Sequence, residues 1–102
     1  MINLNQNELL LIQSILKTFI PNLVVWLFGS RTTPNIKPYS DIDLAIITQH
    51  PLSTDIMAAM RSAFTESDLP YKVDLVDWST LDEAFKTIIQ NRHEIIQSLW
   101  PW

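Results

Sequence analysis

Asp41 and Asp43 are the residues whose type and spacing point most directly to chemistry, because they stand two positions apart in the run SDIDLAI. On a β-strand such residues share a face and lie roughly 6.5 to 7 Å apart along the chain. Two carboxylates placed this way repel each other, and at least one takes up a proton unless a divalent cation removes the conflict. Oxygen ligands of this kind suit Mg²⁺ or Mn²⁺. The pair therefore predicts a metal site that also contacts substrate phosphate.

Asp74 is a third acid, placed within KVDLV on what the pattern predicts to be another strand. Three convergent carboxylates can hold two metal ions about 3.5 to 4 Å apart, the arrangement that clamps the attacking and leaving oxygens in nucleotidyl transfer. Whether Asp74 converges with the pair depends on the tertiary structure, so the sequence leaves this open. Asp77, at the end of the same strand, is predicted to be a turn or cap residue.

Gly29 is the only glycine of the chain and is followed at once by Ser30. A glycine at a strand end lets the backbone approach a ligand closely, and the serine can add its hydroxyl and N–H toward a phosphate. A helical turn that begins at Ser30 would add further free N–H groups. Arg31 supplies a fork of donors for phosphate oxygens, with a surface loop position as the alternative. For Lys37, a movable positive charge, the surface position is favoured.

The composition is that of an ordinary globular protein, with 47% hydrophobic and 18% charged residues among 102, which suffices for one core. We therefore predict one domain over residues 1–102. The net charge of −4 without a Lys/Arg cluster argues against direct nucleic-acid binding, and no apolar run is long enough to span a membrane. The absence of cysteine fits a reducing compartment, so we expect a cytoplasmic protein.

The hydrophobic periodicity predicts three helices and three strands in the order α-β-β-α-β-α. Helices are expected over residues 5–19, with Asn5 and Glu8 as a capping box, over 53–67, and from a capping box at 79–83 to about residue 100. Strands are expected over residues 23–28, 40–48 and 71–77. The last helix is expected to bury a stripe made of Leu81, Phe85, Ile88, Ile95 and Leu99. The predicted fold class is α/β (α+β), a small mixed sheet with helices packed on it.

The spaced combination of FGSR, SDIDLAI and YKVDLVD resembles the DNA-polymerase-β-like nucleotidyltransferase superfamily, whose pattern is Gly-Ser, a gap, Asp-x-Asp and a later third acid. It is most similar to the minimal nucleotidyltransferases, including the MntA-type antitoxins that are paired with HEPN-domain ribonuclease toxins. The resemblance covers nearly the whole chain in element order. One departure lies in the loop, where Thr32, Thr33 and Pro34 stand in place of the Ala-Arg-Gly of many relatives.

This resemblance implies that Gly29 and Ser30 hold a nucleoside triphosphate and that Asp41 and Asp43 bind two Mg²⁺ ions. It implies that Asp74 binds the catalytic ion and helps to activate an acceptor hydroxyl. For the antitoxin branch it further implies transfer of AMP from ATP to a tyrosine of a partner HEPN toxin, within a hetero-oligomer.

Two other functions stay open beside this one. The chain could be a non-catalytic module that neutralises the toxin by contact, or the catalytic subunit of a two-component transferase that acts on a small molecule. The C-terminal residues Trp100 and Trp102 either pack back on the core or form a partner-binding patch.

Overall fold

A computed structural model of the protein describes residues 1–34 and 39–99. The positions of Lys37, Trp100 and Trp102 lie outside this described part. The helices are α1 (Gln6–Phe19), α2 (Thr54–Glu66) and α3 (Glu83–Asn91), and the strands are β1 (Val24–Phe28), β2 (Ile42–Ile47), β3 (Val73–Asp77) and β4 (Glu94–Gln97). Two short 3₁₀ turns, Gly29–Thr32 and Trp78–Thr80, follow β1 and β3.

The four strands form one sheet in the order β3-β2-β1-β4. Strand β1 is antiparallel to both β2 and β4, whereas β2 and β3 are parallel. The loop after β1 is long enough to reverse the chain, while the parallel pair needs the crossover that α2 supplies. The predicted mixed sheet with helices packed on it is confirmed.

The helix starts follow the capping residues of the sequence. Asn5 and Glu8 form the predicted capping box of α1, and the hydroxyl of Ser53 accepts the N–H of Ile56 at the start of α2. The prediction for α3 was wrong in its cap. Asp82 is the N-cap, because Ser79 and Thr80 are used by the turn that precedes the helix.

One face of the sheet carries the hydrophobic core. Val25 and Leu27 of β1 and the alternate residues Ile42, Leu44 and Ile46 of β2 are all fully buried there. They belong to one cluster with α1 and α2, whose buried members are Ile12, Leu16, Met57, Met60 and Phe64. This packing holds the parallel pair β2–β3 in a defined register, which matters for the acids.

The opposite face of the sheet is aromatic near β1 and acidic near β3. The Trp26 ring stacks on the His93 ring with centroids 3.8 Å apart, and Phe28 meets Phe85 of α3 edge-on at 5.9 Å. By strand alternation, Asp43 and Asp74 project to this same face. The acids thus lie beside the part of the face that α3 covers.

The prediction of a last helix that runs to about residue 100 was wrong. Helix α3 ends at Asn91, and residues Glu94–Gln97 form the unpredicted strand β4, which pairs with the free edge of β1. The members of the predicted stripe Phe85, Ile88, Ile95 and Leu99 are exposed, while Ile89 and Ile96 are buried instead. These residues form a strand instead of a helix because pairing with β1 satisfies their backbone hydrogen bonds and also buries Ile96 against the core.

No helix within the described ranges is long and apolar enough to cross a membrane. The organisation of residues 1–102 as one domain stays a prediction.

Candidate active site

Gly29 forms the turn that ends β1, with a φ of +78°. This left-handed conformation favours glycine. A Cβ at this position would also collide with Oδ2 of Asp43, so the backbone of the turn lies directly against that carboxylate. The hydroxyl of Thr32 donates to the Gly29 carbonyl oxygen at 2.7 Å and fixes the turn, while Ser30 is left exposed to solvent. The positive φ and the lack of room for a Cβ explain why the single glycine stands here.

Asp43 and Asp74 are directly paired positions of the parallel strands β2 and β3. Asp43 also lies opposite Phe28, the last residue of β1. Asp41 precedes β2 and is exposed, two residues before Asp43. The register of β2 on β3 therefore supplies the convergence of Asp43 and Asp74 that the sequence left open.

The three acids interact through their charges. The pKa of Asp43 is raised from its ordinary 3.8 to about 6, first by burial and then by the negative charges of Asp74 and Asp41. The ammonium group of Lys72 acts in the opposite direction, and its Nζ lies 3.4 Å from Oδ1 of Asp74. A carboxylate destabilised in this way gains from a bound cation.

The acids fit a magnesium ion that shares its ligands with a substrate. Within residues 1–34 and 39–99, no three acidic or histidine side chains form a ready-made metal site. Mg²⁺ does not need one, because proteins usually bind it through one or two carboxylates together with substrate phosphates and water. Asp43 and Asp74, with Asp41 beside them, offer the oxygen donors that this mode requires.

Arg31 makes contacts within the protein. Its side chain is buried, with 3% of its surface exposed. Its Nε and Nη2 donate to the carbonyl oxygen of Ser40 at 3.2 and 2.8 Å, and its Nη1 donates to that of Asn3 at 3.3 Å. The guanidinium also covers the Tyr71 ring, with Cζ 3.9 Å from the ring centroid. Its Nε, Nη1 and Nη2 therefore each donate to a carbonyl oxygen of the protein itself.

Two clefts flank the acids. A cavity of about 580 Å³ is bordered by Tyr71, Lys72 and Asp74 among its lining residues. A second, of about 430 Å³, is bordered by Gly29, Ser30 and the exposed side chains of Phe85 and Ile88 on α3. Asp74 thus borders the first cleft, and the Gly29 turn that lies against Asp43 borders the second.

Sequence reasoning missed some neighbours of the acids. Strand alternation places Lys72 on the same face as Asp74, but the sequence assigned it no role there. Phe85 and Ile88 could not be found, because their spacing on α3 is typical of a buried stripe. Asp77, by contrast, is the N-cap of the turn after β3, as predicted.

The glycine turn set against paired strand carboxylates on a small mixed sheet is the arrangement expected from the resemblance to nucleotidyltransferases. The chain belongs to the family described as "Polymerase beta, Nucleotidyltransferase", whose profile matches residues 11–99. Both the predicted family and its fold are thereby confirmed.

The chain is similar to the probable protein adenylyltransferase MntA of Haemophilus influenzae, with 43% identity over 96 residues that cover 94% of this chain and 84% of that protein. Solved structures of toxin–antitoxin complexes share its fold. One is a tri-AMPylated Shewanella oneidensis HEPN toxin with its MNT antitoxin, at a TM-score of 0.70 and 22% identity, covering 91% of this chain and 71% of the matched one. Another contains AMP-PNP, at a TM-score of 0.73 and 24% identity, covering 93% and 74%.

Proposed function

We propose that this chain is a protein adenylyltransferase that moves AMP from ATP to a tyrosine of a HEPN-type ribonuclease toxin and thereby acts as its antitoxin. The observation that carries the proposal is the pairing of Asp43 with Asp74 against the Gly29 turn. The likeness to the MntA protein of Haemophilus influenzae supports the choice of a protein acceptor.

We assign the triphosphate to Gly29 and Ser30. The turn gives a phosphate close access to backbone, and the exposed serine offers a hydroxyl and an N–H. Asp41, Asp43 and Asp74 would hold Mg²⁺, with two ions as the expected number. When bound, the metal supplies Lewis-acid stabilisation of charge on the transferring phosphoryl group.

The reaction joins the acceptor oxygen to the α-phosphorus. The phenolic oxygen of the toxin tyrosine forms a bond to that phosphorus, and the bond from the α-phosphorus to the bridging oxygen breaks, releasing pyrophosphate. The phenol loses its proton, and Asp74, which lies on the rim of the larger cleft, would help in its removal. The two clefts would admit the nucleotide and the toxin tyrosine from different sides.

Intact mass spectrometry of the partner toxin tests this proposal. The toxin is incubated with ATP, Mg²⁺ and this protein, in parallel with the Asp41→Asn/Asp43→Asn variant. Asp68→Asn is a matched control, because it neutralises an exposed acid outside the site. We expect the toxin to gain whole AMP units with the wild type and the control, and none with the double variant.

Other results would reassign the chain. If both the wild type and the double variant inhibit the toxin equally without added mass, the chain acts as a binding module. If the wild type modifies no protein but adenylylates a small hydroxyl compound in the presence of a partner, it is the catalytic subunit of a small-molecule transferase.

A further inference from the structure

Arg31 joins three segments that each carry part of the site. It directly follows Ser30 of the glycine turn, its Nε and Nη2 hold the carbonyl oxygen of Ser40, and its guanidinium covers the Tyr71 ring. Ser40 precedes Asp41, and Tyr71 lies three positions before Asp74. One buried side chain therefore contacts the chain just before both acidic stretches.

We call the contacts of Arg31 with Ser40 and Tyr71 the Arg31 clamp. Backbone hydrogen bonds join the same segments around it. The N–H of Ile42 donates to the carbonyl oxygen of Lys72 at 2.9 Å, which ties the start of β2 to the start of β3. The N-terminal segment is bound in turn, because Asn3 donates its N–H to the Arg31 carbonyl oxygen at 2.7 Å. Its side-chain amide donates to the Thr33 carbonyl oxygen at 2.9 Å.

Tyr39, immediately before Ser40, has a φ of +66° although it is not a glycine. A left-handed conformation at such a residue persists where the surroundings hold it in place. The paired donation from Arg31 to the Ser40 carbonyl oxygen is an anchor at the next residue. The entry of the chain into Asp41 is thus held by a contact with the Arg31 side chain.

We propose that Arg31 is a positioning residue for adenylyl transfer, which holds Asp41 and Asp74 in register beside the Gly29 turn and does not bind phosphate. This inference rests on the proposed function. The guanidinium contacts the carbonyl oxygens of Ser40 and Asn3 and the Tyr71 ring, so the role of Arg31 is geometric. The planar guanidinium donates two hydrogen bonds to one carbonyl oxygen and covers an aromatic ring. The ammonium group of a lysine cannot replace these contacts.

Steady-state kinetics of AMP transfer to the toxin separate positioning from phosphate binding. We expect Arg31→Lys to lower kcat at least about tenfold while the KM for ATP stays within about threefold, because misplaced acids impair the chemical step. Tyr71→Leu should act in the same direction, and Tyr71→Phe, which keeps the ring face, should restore kcat to within about twofold of the wild type. Lys17→Arg, the reverse exchange at an exposed position of α1 away from both clefts, is the control for the substitution itself.

The opposite kinetic pattern would overturn the inference. If Arg31→Lys raises the KM for ATP with kcat unchanged, and Tyr71→Leu behaves as the wild type, then Arg31 serves as a phosphate ligand. If Arg31→Lys does not fold, the contrast between Tyr71→Leu and Tyr71→Phe decides the same question.

Amide hydrogen exchange provides a test without any substrate. In Arg31→Lys we expect faster exchange at Ile42, whose N–H ties β2 to β3, and unchanged exchange within α1. Unchanged exchange at Ile42 would overturn the inference. A wild type that transfers no AMP would instead overturn the proposed function, while the exchange result would still show whether the clamp exists.

Discussion

Asp43 and Asp77 stand three register positions apart along the same parallel strand pair, and their surroundings differ in kind. Asp77 is 8% exposed, and its carboxylate accepts hydrogen bonds from the Thr48 hydroxyl, from the Leu52 N–H at 2.7 Å and from the Ser79 hydroxyl at 2.8 Å. Asp43 accepts no hydrogen bond from the described side chains and faces other negative charges.

The pKa values respond in opposite directions. Burial acts to raise the pKa of Asp77, but the hydrogen bonds from Thr48, Leu52 and Ser79 outweigh it and lower the pKa from 3.8. Burial also raises the pKa of Asp43, and there the nearby acids add to the rise. Asp77 therefore joins β3 to the loop before α2 through its hydrogen bonds. Asp43, at the other end of the strand pair, is destabilised as a carboxylate and would be stabilised by a bound cation.

The largest expected effect comes from Asp43→Asn. Transfer of AMP should fall at least about 10³-fold, because the variant loses several kcal/mol of metal-dependent stabilisation. The unfolding free energy of the metal-free protein should rise, because the variant removes a charge that is repelled in the folded state. Initial rates and urea unfolding measure the two effects. A stability loss together with retained transfer would show that Asp43 is structural like Asp77.

Gly29→Ala should follow in size. The added Cβ meets Oδ2 of Asp43 on a left-handed backbone, so we expect transfer to fall about 10²-fold and stability by about 1 to 2 kcal/mol. Ser30→Ala is the matched control, because it adds no atoms to the turn and should leave stability within about 0.5 kcal/mol. Equal activity of Gly29→Ala and the wild type would show that transfer does not depend on the contact between the turn and Asp43.

Asp77→Asn should give the reverse of the Asp43 result. The amide that replaces one carboxylate oxygen would face donors, so we expect a stability loss of about 2 to 3 kcal/mol in urea unfolding. The rate of transfer per folded molecule should stay unchanged. Loss of transfer in a fully folded sample would show that Asp77 belongs to the active site and that its role does not differ from that of Asp43.

The pH dependence of stability should show the smallest and most specific difference. The folded pKa of Asp43 lies above its ordinary 3.8, so the folded state binds more protons and metal-free stability should fall as the pH rises from about 4 to 6. Asp43→Asn should lack this fall.

The Asp77 contribution has the opposite sign. Because its folded pKa is lowered, it stabilises the protein fully above 3.8 and is lost as the pH falls through the folded pKa. The advantage of wild type over Asp77→Asn should therefore shrink below about pH 4. Unfolding titrations of the three proteins across this range would contradict both assignments if the curves ran parallel.

Much of the fold could be predicted because its signals are local. Asn5 with Glu8 set the start of α1, and Ser53 set that of α2. The same patterns failed after α3, where Ile95 and Ile96 suit a helix as well as a strand, and the free edge of β1 decided the outcome.

The candidate site divides in the same way. Its acids and its glycine turn could be named from their spacing, and the resemblance to a family added their expected roles. The contacts of Arg31 with the ring of Tyr71 and the carbonyl oxygen of Ser40 could not be predicted, because nothing nearby in the sequence reveals them.

The sequence by itself determined which residues could carry the chemistry and on which face of a strand they stand, since alternation and capping depend on neighbours only a few positions away. Only the tertiary structure decided that Asp74 pairs with Asp43 and that the Gly29 backbone lies against the Asp43 carboxylate. It also decided that Asp77 accepts hydrogen bonds from Leu52 and Ser79, while Asp43 faces the charges of Asp74 and Asp41. These outcomes depend on the register between segments far apart in the chain, which the packing of α1 and α2 on the sheet sets.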